Sequence, residues 1–372
     1  MGSVARDGTP LQHRSKASAA RRAVDERPSP PEDAGSPGSE GQRDDVLSAD
    51  EVPRFSADDL ALGRHAARPT EIPARGWWAV LKRVAREAIS DEAGTAAASC
   101  GFYALLALFP TLSVAISLFG LVADPATVEG QLAAIEDVLP PSTFDLISAR
   151  IHDLAAAGPT KLSSGLLISL LIAMWSAMSG VKAIINALNV AYEERESRSF
   201  LRLNGVAFLF MLGGTVSTLL ALTVIVAVPA ALAFDWLGPL ASAAVRICSF
   251  VLLLAFVVLG LAMLYRFAPS RGQAKWRWIT PGSMLAAGLW LIASLAFSFY
   301  VSNFGSYDAA YGTLGGVVVA LLWFYISAYA VILGAELNAE LELQTRRDTT
   351  TGPVRPMGRR KAFVADHVAT GA

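Results

Sequence analysis

Long apolar runs, separated by short charged segments, dominate the chain after residue 90. Six of these runs contain no charged residue, and they cover 93–123, 162–181, 203–234, 247–265, 278–307 and 309–335. A bilayer core about 30 Å thick needs roughly 20 residues of helix to cross it. The pattern predicts an all-α, polytopic integral membrane protein. Its membrane domain covers 93–345, with six transmembrane helices at about 93–123, 162–190, 203–233, 239–265, 278–302 and 311–338.

The two ends of the chain have a different pattern. Residues 1–60 are polar and rich in Pro, Gly, Ser and charged residues, as in "RPSPPEDAGSPGSEGQRDD". Such a segment buries too little apolar surface to offset its ordering entropy, so we expect it to be disordered. It has no apolar core typical of a cleavable signal peptide, so we expect the first span to direct insertion. Residues 346–372 are predicted to form a basic, disordered tail.

A basic amphipathic helix is predicted at 76–90, within a linker region at 61–92. Its apolar positions have helical spacing, and its basic positions fall largely on the other side. The apolar set is Trp77, Val80, Leu81, Val84 and Ala88, and the basic set is Lys82, Arg83 and Arg86. Beside a first span, this pattern favours a helix lying in the cytoplasmic membrane interface. The alternative is a helix that packs in a protein core.

Composition agrees with a membrane protein and limits the chemistry. Hydrophobic residues make up 53% of the chain and charged residues 17%, against about 25% charged in a typical soluble protein. The net charge of −1 lacks the basic excess of a nucleic-acid-binding surface. The four histidines are far apart, and none has metal-ligand spacing. We therefore predict no catalytic residue, no metal, no cofactor and no nucleic-acid partner.

The distribution of Lys and Arg predicts the orientation. The segments on one side of the six predicted spans carry 20 basic residues, and those on the other side carry 3. Because basic loops stay in the cytoplasm, we expect both termini there. The longest external loop, 124–161, is acidic and is predicted to form short helices on each side of Pro140–Pro141. It serves either as a structural cap or as a vestibule that attracts cations.

Three carboxylates follow the last apolar run, at Glu336, Glu340 and Glu342. A helix that begins near Tyr311 would carry Glu336 about 37 Å along its axis, at 1.5 Å per residue. The simplest interpretation is that these carboxylates mark an ordinary helix end in the headgroup region. However, Glu336 and Glu340 share a face and repel unless a cation compensates them. We expect a basic partner from the same side, among Lys182, Arg195, Arg271, Lys275 and Arg277.

Other polar residues border or interrupt the predicted spans. Arg246 lies about two turns into the fourth helix, where a charge is costly unless it is paired, and Asp308 is a candidate partner. Snorkelling to the outer surface is the alternative for Arg246, as it is for Lys182 at the other side. Asn186 and Asn189 follow Lys182 and could bridge helices by hydrogen bonds. Pro110, in the middle of the first span, predicts a kink.

Several blocks of the chain resemble a known family of bacterial inner-membrane proteins, the BrkB/YihY family. They are "GFYALLALFPTLSVAISLFG", "RGQAKWRWITPGSMLAAGLWLIASLAFSFYV" and "SNFGSYDAAYGTLGGVVVALLWFYISAYAVILGAELNAELE", in the family's order. The resemblance covers roughly residues 80–345 and implies six spans and a bacterial inner-membrane location. It implies no mechanism, because the family has no settled catalytic motif. Members have been described as ribonuclease BN, widely regarded as a misattribution, as virulence or serum-resistance factors, or as transporters.

These observations favour a transporter or exporter of a small solute, ion or lipid-like molecule. Its polar path would use Arg246, Asp308, Lys182 and Glu336. The alternative is a scaffold or envelope-integrity factor that transports nothing and whose charges anchor helix ends. Ribonuclease activity, and enzyme activity in general, is not expected, because no metal-ligand string or basic RNA-binding surface is present. The expected partners are the lipid bilayer and an unidentified solute or ion, and an oligomer stays open.

Overall fold

The structure is a computed structural model that describes residues 55–90, 93–122, 159–232, 238–303 and 314–369. Apart from a short 3-10 turn, the regular elements described in these ranges are α-helices. They are α1 (Ala57–Leu62), α2 (Ala74–Ser90), α3 (Ala93–Val122), α4 (Pro159–Ala191), α5 (Phe200–Leu232), α6 (Pro239–Phe267), α7 (Trp276–Asn303), α8 (Leu314–Leu343) and α9 (Phe363–Asp366). The helices α3 to α8 are long and apolar enough to cross a membrane. The predicted all-α class and the six spans are therefore confirmed.

Helix α8 is the central helix of the described bundle. Its buried residues take part in all three apolar clusters of the described residues. One cluster joins α8 to α4, α5, α6 and α7, the second joins it to α2 and α7, and the third joins it to α2, α3 and α4. The polar end of α8 is consequently surrounded by protein.

The segments that join α4 to α5 and α6 to α7 lie near this end of α8, together with α1, α2 and the chain after α8. We call this end of the bundle the basic end. The segments that carry the larger number of Lys and Arg residues in the sequence lie at this end. The predicted short helices of the loop at 124–161 fall on 123–158, outside the described residues, as does Asp308.

The C-terminal segment differs from its prediction. Residues 346–369 are not a disordered tail but pack against the basic end, with Thr349, Arg360 and Val364 buried. The physical reason is local hydrogen bonding that a polar composition does not reveal. The Arg360 guanidinium donates to the carbonyl oxygens of Arg355, Ala365 and Arg346, at 3.0, 2.6 and 2.9 Å.

The predicted boundary of the N-terminal disordered segment, at residue 60, is also too late. Helix α1 begins at Ala57, and a capping box at Ser56 stabilises its first turn. The Ser56 hydroxyl accepts from the Asp59 amide, and the Asp59 carboxylate accepts from the Ser56 amide, both at 3.1 Å. Gly63 ends the helix with a φ of 76°, the left-handed conformation that glycine adopts readily.

The amphipathic helix exists as α2, but its apolar face packs on protein. Val80 and Val84 join a buried cluster with Leu337 and Leu341 of α8. Leu81, which was assigned to the apolar face, is exposed, and Arg83, which was assigned to the basic face, is buried. This face therefore packs as the face of a core helix does, and the interfacial location of α2 stays a prediction. Pro110 lies inside continuous α3, and its kink stays a prediction.

Candidate functional site

The candidate site lies where α8 ends, at the basic end. Five polar side chains alternate along this stretch, and each is at most 4% exposed: Glu336, Asn338, Glu340, Glu342 and Gln344. Burying a charged group is costly unless a partner compensates it. An ordinary helix end does not account for this burial, and each carboxylate requires a compensating contact from the surrounding segments.

Arg83 of α2 compensates Glu340. Its Nε donates to the Glu340 carboxylate, and its Nη2 donates to the side-chain oxygen of Gln344 at 2.7 Å. Gln344 in turn donates to the carbonyl oxygen of Leu62 at 2.7 Å. This partner was not among the five basic residues expected from the sequence. Arg83 belongs to the basic set of the amphipathic helix, and that pattern predicted a position away from the protein core.

Arg271 compensates Glu342. Its Nη2 lies 2.7 Å from Glu342 Oε2, and the two side chains are 2% and 0% exposed. Thr349 also donates to Glu342 Oε2, at 2.6 Å. The Arg271 guanidinium lies over the Tyr192 ring, 4.6 Å from its centroid, which is cation–π geometry. Burial opposes the charge on Arg271, but the Glu342 carboxylate outweighs that effect and raises the pKa of Arg271.

Four of the seven buried side-chain atoms that lack a hydrogen-bond partner in the described residues belong to this ion pair and its neighbours. They are Tyr192 OH, Arg271 Nη1, Asn338 Nδ2 and Glu342 Oε1. Burial raises the pKa of Tyr192 well above its ordinary value. Its phenol is therefore neutral and available as a hydrogen-bond donor at any physiological pH. Sequence reasoning did not identify Tyr192 or Asn338, because an isolated Tyr and Asn near helix ends carry no distinctive pattern.

Asn338 also marks a close crossing of α7 and α8. Its side-chain oxygen accepts from the Gly282 amide at 2.8 Å. A Cβ added at Gly334 would lie 2.6 Å from the carbonyl oxygen of Gly282, closer than ordinary van der Waals contact. The two helices approach this closely because both residues lack a side chain. The crossing fixes the part of α8 that carries the carboxylates.

Glu336 differs from the other two carboxylates in its surroundings. It is 2% exposed and lines a cavity of about 120 Å³ between α3, α4 and α8. The polar lining residues are Glu336, Asn186 and Ser99, and the rest are apolar, mostly alanines. A cavity of this size accommodates several water molecules or a small, partly hydrated ion. The structure thus brings to one cavity Glu336, which was predicted for a polar path, and Asn186, which was predicted as a bridge between helices.

Asn189, expected to bridge helices, joins α4 to the two connecting segments of the basic end. It donates to Glu196 Oε2 at 3.1 Å and accepts from the Ser270 amide at 2.7 Å. Arg198 donates to both carboxylate oxygens of Glu196, at 2.8 and 2.7 Å. Hydrogen bonding from the Arg198 side chain lowers the pKa of Glu196 to about 2. These contacts make Asn189 a structural bridge.

Lys182 and Arg246 do not line this cavity. Lys182 Nζ donates to the Asn204 side chain of α5, at 3.4 Å, which ties two helices together. Arg246 is exposed and makes no hydrogen bond or ion pair within the described part of the chain. Pairing and snorkelling of Arg246 both stay predictions, because its candidate partner Asp308 lies outside the described residues. Among the described residues, no group of three or more His, Cys, Asp or Glu could hold a metal ion.

Comparison with known proteins gives a consistent assignment. The family described as "Virulence factor BrkB" matches residues 84–357. A Bacillus subtilis protein named as ribonuclease-like, YfkH, is 34% identical over 273 residues, which are 70% of this chain and 94% of that protein. A membrane protein of Pseudoalteromonas translucida, of the group named UPF0761, is 24% identical over 74% of this chain and 88% of its own length. A UPF0761 membrane protein of Chlorobium limicola is 29% identical over 66% of this chain and 54% of its own length.

No solved structure matches the chain significantly. The family match covers far more than half of the chain, and it includes α3 to α8 and the whole polar end of α8. The blocks that resemble the BrkB/YihY family in the sequence lie within or next to the matched range. The chain belongs to the BrkB family of multi-pass bacterial membrane proteins.

Proposed function

We propose that the protein moves a small solute or ion across the bacterial inner membrane, through a path that passes the Glu336 cavity. The observation that carries this proposal is a carboxylate 2% exposed, in a cavity at the end of three apolar spans. Ionisable residues at membrane depth face protein interiors or polar paths and are costly to retain. A carboxylate there favours a cation or a proton over an anion.

The surrounding contacts support a distinction between Glu336 and its neighbours. Glu340 and Glu342 bind Arg83 and Arg271, which connect α8 to other segments. Such pairs hold helices in register rather than bind a passing solute. Glu336 lines a cavity together with the Asn186 amide and the Ser99 hydroxyl, side chains that can replace part of an ion's hydration shell.

The proposed orientation places the basic end in the cytoplasm, with both termini on that side. The excess of Lys and Arg in the segments at this end supports the assignment through the positive-inside rule. The cavity would then form the cytoplasmic part of the path. The ribonuclease-like name belongs to the Bacillus relative, and we do not propose that activity here. Two arginines of the acidic site, Arg83 and Arg271, are buried in ion pairs and are not available to bind an RNA backbone.

The test is ion flux in proteoliposomes of the full-length protein. Vesicles that contain the pH dye pyranine report proton movement, and a potassium-selective dye reports K⁺ movement. We expect flux above protein-free vesicles, and we expect Glu336→Gln and Asn186→Ala to lower it at least fivefold. The matched control is Asp58→Asn, which neutralises an exposed carboxylate of α1. Parent-level flux in both cavity variants would remove the cavity from the path.

A scaffold function is the second candidate, and a specific observation favours it. The basic end is tied together by ion pairs and by the packed C-terminal segment, as expected of a rigid structural unit. An absence of flux for protons, K⁺, Na⁺ and small anions, in protein shown to be folded, would favour this candidate. The two functions therefore give opposite results in one assay.

A further inference from the structure

Helix α2 has a second face that the bundle does not cover. Its buried face packs on α8, through Val80 and Val84, and Arg83 binds Glu340. The opposite face carries three large apolar side chains, Trp78, Leu81 and Ile89, which are 70%, 46% and 80% exposed. Such a group on one face of a helix marks a contact with another apolar phase or partner.

Three basic residues lie beside this apolar group. Arg75, Lys82 and Arg86 are exposed, and none makes a hydrogen bond or ion pair with a residue that the structure describes. At about 100° per residue, they share one edge of the exposed face, and the three large apolar residues occupy the adjacent edge. The uncovered face is therefore itself amphipathic, with a cationic edge and an apolar edge.

The contacts of α2 along α8 give the position of this face relative to the spans. Ala88, near the end of α2, clusters with Ala328 and Ile332 of α8. Arg83, more than one turn earlier, contacts Glu340. Helix α2 thus runs antiparallel to α8, with its last residues at the level of the spans and its first residues beyond them. The next helix, the span α3, begins at Ala93, three residues after α2 ends.

A groove lies next to the cationic edge of α2. It lies between α1 and α2 and has a volume of about 870 Å³, with Arg75, Trp78 and Lys82 of α2 along one side and the exposed Asp58 of α1 along the other. Arg64, also at the groove, is held by Asp59 at 3.1 Å and by the Ala369 carbonyl oxygen at 3.2 Å. The available cations of the groove are therefore Arg75 and Lys82.

We propose that this face of α2 is a binding surface for an anionic phospholipid. The lipid phosphate binds Arg75, Lys82 and Arg86, and its acyl chains contact Trp78, Leu81 and Ile89. The negative phosphate complements the charge of the cationic edge. Ile89 lies at the level of the spans, where acyl chains can contact the apolar edge. A water-soluble acidic protein would bind the cationic edge but leave the apolar edge uncovered. This surface is distinct from the Glu336 cavity and does not depend on transport.

The first test is lipid retention by the full-length protein, measured by native mass spectrometry in detergent. Equal amounts of phosphatidylglycerol and phosphatidylcholine are added, and the bound lipids are counted. We expect the parent to retain phosphatidylglycerol preferentially. Each basic residue near a lipid surface contributes about 1 kcal/mol, so Arg75→Gln/Lys82→Gln should lower that retention roughly tenfold or more. The matched control is Arg359→Gln/Lys361→Gln, which removes two exposed charges of the C-terminal segment, beside the segment that joins α6 to α7.

The second test separates a lipid from other anionic partners. In vesicles with brominated phosphatidylglycerol, Trp78 fluorescence, taken as the parent minus Trp78→Phe, should be quenched. Brominated phosphatidylcholine should quench it less. Equal retention of both lipids, or equal losses in the test and control variants, would overturn the proposal. An unquenched Trp78 would also overturn it and would point to a soluble partner or to free phosphate as the occupant.

Discussion

Arg271, in the segment between α6 and α7, binds Glu342 near the end of α8, with Nη2 2.7 Å from Oε2 and both side chains almost fully buried. This ion pair joins two segments 71 residues apart in the sequence. Its neighbour, the pair of Arg83 with Glu340, joins segments 257 residues apart. Carboxylates that look like an ordinary helix end in the sequence are thus the points at which α8 is held by the rest of the basic end.

Removal of Arg271 should destabilise the protein strongly. Arg271→Ala leaves the Glu342 carboxylate buried with Thr349 as its remaining donor, and breaking a buried pair costs about 3–5 kcal/mol. The double variant Arg271→Met/Glu342→Leu should recover most of the loss, since it leaves no buried charge. Thermal unfolding in detergent checks this, with Arg359→Gln as the exposed control. A double variant no more stable than Arg271→Ala would contradict the expectation.

Removal of the Arg83 guanidinium should loosen α2 from α8. We expect Arg83→Gln to speed hydrogen–deuterium exchange across residues 74–90, while Arg86→Gln, an exposed neighbour on the same helix, should leave it unchanged. The double variant Arg83→Gln/Glu340→Gln should lose less free energy of unfolding than the two single variants lose together, because both single variants break the same interaction. Additive losses would show that the pair is not coupled.

The crossing of α7 and α8 should not tolerate a methyl group. At Gly334, an alanine Cβ would meet the Gly282 carbonyl oxygen at 2.6 Å and the Ala286 Cβ at 2.8 Å, so the backbones must separate. We expect Gly334→Ala to cost about 1–3 kcal/mol, the usual range for overpacking. Gly288→Ala is the matched control on α7, because nothing lies within 4 Å of its added Cβ. The melting temperatures of the two variants give the comparison.

The loop between α4 and α5 should weaken in acid. Hydrogen bonds from Arg198 lower the pKa of Glu196 from 4.5 to about 2 in the folded protein. A depressed carboxyl pKa stabilises the fold above the unfolded value, and this stabilisation is lost as pH falls from about 4.5 toward 2. The melting temperature of the parent should therefore approach that of Glu196→Gln over this range. A constant difference between the two would refute this linkage.

The C-terminal segment should depend on one of two adjacent arginines. Arg360 is buried and donates to three carbonyl oxygens, whereas Arg359 is exposed. Arg360→Gln leaves carbonyl groups unpaired, and each such group costs about 1–3 kcal/mol when it stays buried. We expect limited proteolysis to cut within 346–369 of Arg360→Gln and to spare Arg359→Gln. Equal resistance of the two variants would mean that the guanidinium does not hold the segment.

The sequence by itself determined the six spans and the family. Charge-free runs of bilayer length depend on local composition, so they predicted the helices to within a few residues at most ends. Asn189 was expected to bridge helices by hydrogen bonds, and in the structure its side chain joins α4 to two connecting segments. The Lys and Arg bias predicts an orientation from counts alone, and that orientation stays a prediction.

Only the tertiary structure decided the partners of the polar residues. The partner of Glu340 lies 257 residues away on a helix whose periodicity suggested an exposed charge. The order of residues 346–369 depends on hydrogen bonds to carbonyl groups, which have no sequence signature. The Glu336 cavity depends on how α3, α4 and α8 pack. The Glu340 ion pair and the Glu336 cavity depend on groups far apart in the chain, and the C-terminal segment depends on hydrogen bonds to backbone carbonyl groups, so composition and spacing cannot report them.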